Sequence, residues 1–457
     1  MTIRFDSIVI GTGQAGPSLV ARLAAAGRKV AVIERKLFGG TCVNTGCIPT
    51  KAMVASAYAA HLARRGAEFG VVVKHPVLVD MKKVKARKDG ISAESRTGLE
   101  SWLGGLEGCT VYRGHARFES ANEVTVGETT LAAPEIFINV GGRAAAPPIP
   151  GLEQTGYLTN SSMMEVDFLP RHLVILGGSY IGLEFGQMYR RFGSEVTIIQ
   201  RNSRLIERED EDVSAAIKEI LEKEGITVLL NSKTAGVSRN SDGIEVKLES
   251  PGSGAAAVTG SHLLVAVGRR PNTDDLGLDK AGIATDQRGY IVVDDELRTS
   301  VQGIWALGDC NGKGAFTHTS YNDYEILAAN LLDGDRRRVS DRITAYALYV
   351  DPPLGRAGMT EAEARKSGRP VLVAKRPMTK VGRAVEKGES QGFMKVVVDA
   401  ETRKILGAAI LGTGGDEAIH SILDVMYAKA PYTLIQRAMH IHPTVCELIP
   451  TMLGDLR

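Results

Sequence analysis

Two cysteines, Cys42 and Cys47, in the stretch Gly39-Gly-Thr-Cys-Val-Asn-Thr-Gly-Cys-Ile-Pro-Thr-Lys51, carry the most reactive chemistry that this sequence offers. Five residues apart on an ideal helix, two Cα atoms are separated by about 8.6 Å, beyond the roughly 4.4 to 6.8 Å that a disulfide accepts. Pairing therefore requires a distorted helical start, for which Gly39, Gly40, Gly46 and Pro49 supply freedom and a stop. A thiol near a helix N-terminus also meets unpaired N–H groups and the positive end of the dipole, which favour thiolate. On these residues alone, two unlinked structural cysteines or half of a zinc site remain as other readings. Zinc takes about four ligands with paired spacings, and Cys109, Cys310 and Cys446 supply no second close pair, so no metal site is expected. His440-Ile441-His442 likewise has no carboxylate or cysteine framework beside it.

The elements around the cysteines must bring electrons to them. Ile8 to Ile10 runs into Gly11, Gly13 and Gly16, a helical pattern follows to Gly27, and the strand Lys29 to Ile33 closes on Glu34. Strand, glycine loop, helix, strand and acid in this order are the fingerprint of a dinucleotide site: the glycines admit a pyrophosphate to a helix N-terminus, and Glu34 can accept from a ribose hydroxyl. The pattern recurs. Leu173 to Leu176 enters Gly177-Gly178-Ser179-Tyr180-Ile181-Gly182, a helix runs to Gly193, and the strand Val196 to Ile199 ends at Gln200. Here Ser179 replaces the middle glycine, and Gln200 with Arg201 and Arg204 replaces the acid. A neutral amide and two guanidiniums suit a 2'-phosphate better than a free 2'-hydroxyl, so NADPH is expected over NADH. The acids Glu207, Glu209, Asp210, Glu211 and Asp212 lie close in sequence and pull the other way.

Taken with the Cys42 and Cys47 segment, these motifs make the chain, from about Ile8 to its C-terminus, resemble the flavin-dependent pyridine nucleotide-disulfide oxidoreductases. That family includes glutathione reductase, dihydrolipoamide dehydrogenase and mercuric reductase. The resemblance implies an α/β protein with two Rossmann-like domains, for FAD and NAD(P), and a C-terminal α+β dimerisation domain. The Pro-rich stretch Pro147 to Gly151 and the return strand Ile304 to Asp309 place the boundaries: residues 1–150 and 276–342 for FAD, 151–275 for NAD(P), and 343–457 for dimerisation. Around FAD the resemblance places Gly40, Thr41, Gly141 and Asp309, the last on the ribityl chain; around the pyridine nucleotide it places Gly268, with Tyr180 as a movable cover. Lys51 and Glu184 match a family ion pair, Cys47 the charge-transfer thiolate, and Cys42 the interchange thiol. In His442-Pro-Thr-Val-Cys-Glu447, His442 and Glu447 match an acid/base dyad that reaches the disulfide of the other subunit, which implies a homodimer.

The acceptor implied is a small-molecule disulfide or another oxidised species. A mercuric, cupric or quinone reductase is the alternative enzyme, and an FAD-binding redox sensor the alternative of another class. Mercuric reduction is disfavoured by an end, Thr451 to Arg457, without a cysteine pair. Glutathione reduction is disfavoured by Ala21 where an arginine would meet the glutathione carboxylate, and dihydrolipoamide dehydrogenase by Gln200 and Arg201. Cys446 stands where the resemblance has Ser. If residues from Pro443 onward are helical it shares a face with His442, although a small packed residue is the favoured reading.

Composition narrows the setting. With 457 residues the length prior is about three domains, and 55 basic against 53 acidic side chains give no net field for nucleic acid or an anionic membrane. The basic run Lys82, Lys83, Lys85, Arg87 and Lys88 lacks interleaved aromatics and reads as a solvated helix face. No apolar run reaches the 18 or so residues of a membrane span, and the N-terminus does not read as a signal peptide. An odd set of five cysteines fits one catalytic pair better than a disulfide framework, so a cytoplasmic enzyme is expected.

Overall fold

The computed structural model describes residues 2–249, 254 and 256–457. Ser7–Ile10, buried along its whole length, is the centre of a five-stranded parallel sheet. The strand order is Ile304–Ala306, Glu135–Ile138, Ser7–Ile10, Val30–Glu34, Cys109–Arg113. Both faces of such a sheet are covered, which is why its strands read as short continuous apolar runs. Helix Gly16–Ala25 lays Leu19, Val20 and Leu23 on one face, against Val9, Val32 and Phe137. The chain leaves this sheet after Glu135–Ile138 and returns to it with Ile304–Ala306.

Between those two visits lies a second parallel sheet, ordered Thr227–Leu229, Glu195–Ile199, His172–Leu176, His262–Val265. Helix Tyr180–Phe192 follows its central strand, as Gly16–Ala25 follows Ser7–Ile10. The last domain changes to an antiparallel sheet of five strands, ordered Ala345–Leu348, Leu354–Gly358, Ile405–Leu411, Phe393–Asp399, Val371–Pro377. Ile422, Ile435, Ile449 and Met452, from helices beyond it, pack on Val396, Val398 and Ile410. The architecture is thus α/β with two parallel nucleotide-type sheets and a separate α+β unit. Among the described residues, no helix is long and apolar enough to cross a membrane.

A buried ionic seam joins the second sheet unit to the C-terminal sheet. Glu209 (0 % exposed) and Arg356 (2 %) pair directly, and Tyr346 donates to the same carboxylate at 2.6 Å. Lys395 reaches Asp210 at 3.2 Å and Glu361 at 2.7 Å. Charges taken so far from water persist only when paired in this way.

The basic helix face is not wholly solvated: Lys88, on helix Met81–Gly104, is buried and donates to Met164 O at 2.7 Å. The C-terminal segment also departs from expectation. Pro443 does not open a helix: residues 441–447 turn, and the helix begins at Leu448 with Glu447 at its N-cap. Thr444 holds the turn, its hydroxyl donating to Ile441 O at 2.7 Å and accepting from Glu447 N at 3.3 Å. Cys446 is therefore not on a helical face with His442. It lies 3.4 Å from the Ser421 hydroxyl at the edge of an apolar cluster.

Candidate active site

The two cysteines sit on either side of a break between helices. Gly40–Asn44 is one short helix and Cys47–Arg65 a longer one, with Gly46 between them at φ −132°, ψ −118°. A Cβ on Gly46 would come within 2.8 Å of Thr41 O, so only glycine lets the chain fold back this tightly. Pro49 lies in the first turn of the second helix, where no N–H is needed, so it starts that helix and does not stop the first. Both thiols are free.

The pair is electrostatically unequal. The hydrogen bond from Cys42 is the leading cause that lowers Cys47 to about 6, with help from the Thr317 hydroxyl, 3.1 Å from its sulfur, and from the Lys51 charge. The same hydrogen bond, with burial, pushes Cys42 well up, so it stays a thiol. Lys51 Nζ is 2.8 Å from Glu184 Oε2 and 4.4 Å from the Tyr349 ring centroid. Glu184 is buried and its other oxygen accepts from Tyr349 N at 3.0 Å. The expected ion pair is thus assembled, and Thr317 and Tyr349 join it. Neither was legible beforehand, because each comes from a distant strand end or helix start and belongs to no local motif.

Cys42 and Cys47 both open into a cavity of about 2080 Å³ that both glycine loops line. At the first loop, a Cβ on Gly11 would stand 2.3 Å from Asn139 O and one on Gly16 would stand 2.3 Å from Gly11 O. Asn139 Nδ2 ties the loop by donating to Gly11 O at 3.2 Å and Gly13 O at 3.1 Å. Glu34 accepts from Thr12 N at 3.0 Å and from Thr12 Oγ1 at 2.6 Å. Gly40, Thr41, Gly141 and Asp309 line the same cavity. Burial raises the Asp309 carboxyl, against the Arg269 guanidinium 3.5 Å away. At the second loop, Gln200 Oε1 accepts from Gly178 N at 3.1 Å while its Nε2 donates to Glu207 Oε1 at 2.9 Å. Ser179, Tyr180, Arg201 and Gly268 line the cavity; Arg204 turns to its own loop, donating to Glu207 O at 2.9 Å.

His442 Nδ1 is 2.8 Å from Glu447 Oε2, and its side chain is 80 % exposed. It is not among the residues that line the cavity. The dyad is assembled on a segment whose neighbours Met439 and Ile441 are also bare, at 98 % and 79 % exposure.

Residues 5–323 match the family described as pyridine nucleotide-disulphide oxidoreductase, and residues 344–453 match its dimerisation domain. This chain belongs to that family. Among curated relatives, the probable pyridine nucleotide-disulfide oxidoreductase RclA of Escherichia coli is 34% identical over 452 residues, covering 97% of each chain. Dihydrolipoyl dehydrogenase of Thermus scotoductus is 35% identical over 447 residues, 97% of this chain and 95% of that one. Mercuric reductase of Streptomyces lividans is 34% identical over 451 residues, 97% and 94%. The solved structure of the HOCl-induced flavoprotein disulfide reductase RclA from Escherichia coli superposes with a TM-score of 0.90 at 34% identity, over 98% of this chain and 99% of that one.

As a member, the protein is an FAD-dependent pyridine nucleotide-disulfide oxidoreductase with NAD(P)H as electron partner. Its first loop fits FAD on its own evidence: backbone with no room for a Cβ, a helix N-terminus, and a carboxylate, Glu34, at the end of the next strand. The dimerisation domain marks the protein as a homodimer.

Proposed function

We propose that the protein carries electrons from NADPH, through FAD, to the Cys42–Cys47 pair and on to a small-molecule disulfide in the cytoplasm. The observation that carries this is the unequal pair itself: Cys42 and Cys47 line the same cavity, on either side of the helix break at Gly46, with Cys47 lowered and Cys42 kept as thiol. FAD, when bound, takes two electrons from the reduced nucleotide and can pass them to a disulfide. Lys51 favours the Cys47 thiolate that results, and Glu184 holds Lys51 in place. Cys42 needs a base before it can attack. His442 of the partner subunit, oriented by Glu447, takes the Cys42 proton. The Cys42 sulfur then attacks one sulfur of the acceptor and expels the other half, to which His442 returns the proton. Cys47 thiolate attacks the Cys42 sulfur, the second half leaves and is protonated from solvent, and the Cys42–Cys47 disulfide is formed. Two thiols are oxidised and one disulfide is reduced.

A second reading, reduction of a metal ion, is favoured by one observation: RclA, at 34% identity, has been solved as a Cu(II) complex. Steady-state turnover with glutathione disulfide, lipoamide, cupric ion, mercuric ion and quinones, each with NADPH and NADH, separates the readings. Turnover with a disulfide supports the first, and turnover with cupric or mercuric ion alone supports the second.

A further inference from the structure

Arg208 is exposed and lines the cavity beside the second glycine loop. Its guanidinium lies over two rings, 5.4 Å from the centroid of Tyr180 and 5.7 Å from that of Tyr346. Nearby carboxylates are already engaged: Glu209 by Arg356 and Tyr346, Asp210 by Lys395, and Glu207 by Gln200. Among the described residues, Arg208 forms no salt bridge. Tyr180 meets the stacked pair of Phe316 and Tyr346 edge-on, each ring centroid 5.6 Å away, and its hydroxyl faces Tyr346 and Arg208. Tyr346 is the fixed ring of this cluster, because its hydroxyl is anchored on buried Glu209 and Phe316 stacks on its face at 14°.

We propose that Arg208 is a latch on Tyr180, released by the phosphates of the incoming pyridine nucleotide. With the nucleotide site free, the guanidinium holds the Tyr180 ring by cation–π attraction. A diphosphate at the second glycine loop offers the same guanidinium paired anionic oxygens, a stronger partner than a ring face at an exposed site. Arg208 then leaves the rings, and Tyr180, no longer held by the guanidinium, swings aside. Nucleotide binding and opening thereby become one event, since the ligand binds better to the open state than to the closed one. The latch rests on the reading of Tyr180 as the cover of the flavin site.

The test uses the FAD-loaded enzyme without reduced nucleotide. Flavin exposure is read by acrylamide quenching of flavin fluorescence, and affinity by calorimetric titration with NADP+. Arg208→Gln is expected to raise the quenching constant about threefold, close to that of Tyr180→Ala, and to weaken NADP+ binding about tenfold. Arg208→Lys, which keeps the charge, is expected to fall between. In the Tyr180→Ala background, Arg208→Gln should still weaken NADP+ binding but no longer change quenching. If Tyr180→Ala raises quenching and Arg208→Gln does not, the latch is overturned while the cover stands. If Tyr180→Ala itself leaves quenching unchanged, the cover reading falls and takes the latch with it. Unchanged NADP+ affinity on adding Arg208→Gln to Tyr180→Ala, where no closed state offsets the lost phosphate contact, also overturns the proposal.

Discussion

At Gly11 and at Gly177 the chain makes the same turn. Each N–H donates to a carbonyl of the neighbouring strand, Ile33 O at 2.8 Å and Ile199 O at 2.9 Å. The φ angles are +103° and +110°, and an added Cβ would stand 2.3 Å from Asn139 O in one loop and 2.4 Å from Ala266 O in the other. Even the strand-end side chains act alike: Glu34 accepts from Thr12 N and Gln200 from Gly178 N. The loops part company in what else holds them. Asn139 adds two side-chain bonds to the first, where Ala266 has none to offer the second, and Gln200 shares its amide with Glu207. The strand-end residue is thus first a tie for the loop, and its charge is a separate choice made for the ligand. The first loop carries two side-chain ties that the second lacks, the difference expected if the first holds a resident cofactor and the second an exchanging one.

The largest expected contrast comes from Gly11→Ala against Gly177→Ala. A forbidden φ alone costs about 1 to 3 kcal/mol, and overlap with a buried carbonyl adds to it. Gly11→Ala should purify without yellow colour, whereas Gly177→Ala should keep its flavin and show a KM for NADPH raised at least about tenfold. Equal flavin loss in both would show that the two loops are not independent. Next in size is Asn139→Ala. Removing two hydrogen bonds, at about 0.5 to 1.5 kcal/mol each, should weaken FAD retention and leave the KM for NADPH unchanged, which ultrafiltration and kinetics on one sample can check.

Arg201→Ala probes the ligand side of the second loop. Losing one charge-assisted bond, at roughly 1.5 to 3 kcal/mol, should raise the KM for NADPH and barely move that for NADH. Equal damage to both would assign Arg201 to the fold. The cysteine pair repeats the theme of one tie setting another group's charge. Because Cys47 is lowered, its thiolate should be present above about pH 6 and lost as pH falls through that value. Ultraviolet thiolate absorbance of the reduced enzyme should show this step. Cys42→Ala should move it to higher pH, and Thr317→Val should do so to a smaller extent. The smallest effect is expected from Cys446→Ser, which should leave disulfide and metal-ion reduction unchanged. A selective loss of metal-ion reduction there would revive a role for the third thiol.

Much of this was legible in the sequence because both nucleotide sites and the cysteine segment are local motifs. Gly11, Gly13 and Gly16 announce their loop through the steric demand of one turn, and Gly177 and Gly182 do the same. The distortion at Gly46 is legible as well, although not its form as two helices with Pro49 opening the second. What stayed hidden was assembled over long sequence separations. Asn139 ties a loop more than 120 residues away, with partners at separations of 128 and 126; Thr317 meets Cys47 across 270 residues; Tyr346 meets Glu209 across 137. None of these side chains carries a spacing rule, since the fold alone brings them together. The turn at 441–447 escaped for the opposite reason: one hydroxyl, that of Thr444, outweighed the helical expectation for the whole segment.

The most direct test of the central claim is steady-state oxidation of NADPH with a disulfide acceptor, comparing wild type with the double variant Cys42→Ser and Cys47→Ser, both loaded with FAD. The account predicts that the double variant keeps its flavin and accepts electrons from NADPH, yet loses disulfide turnover to background. Disulfide turnover at the wild-type rate in that variant would contradict it, because electrons would then reach the acceptor without passing through the pair.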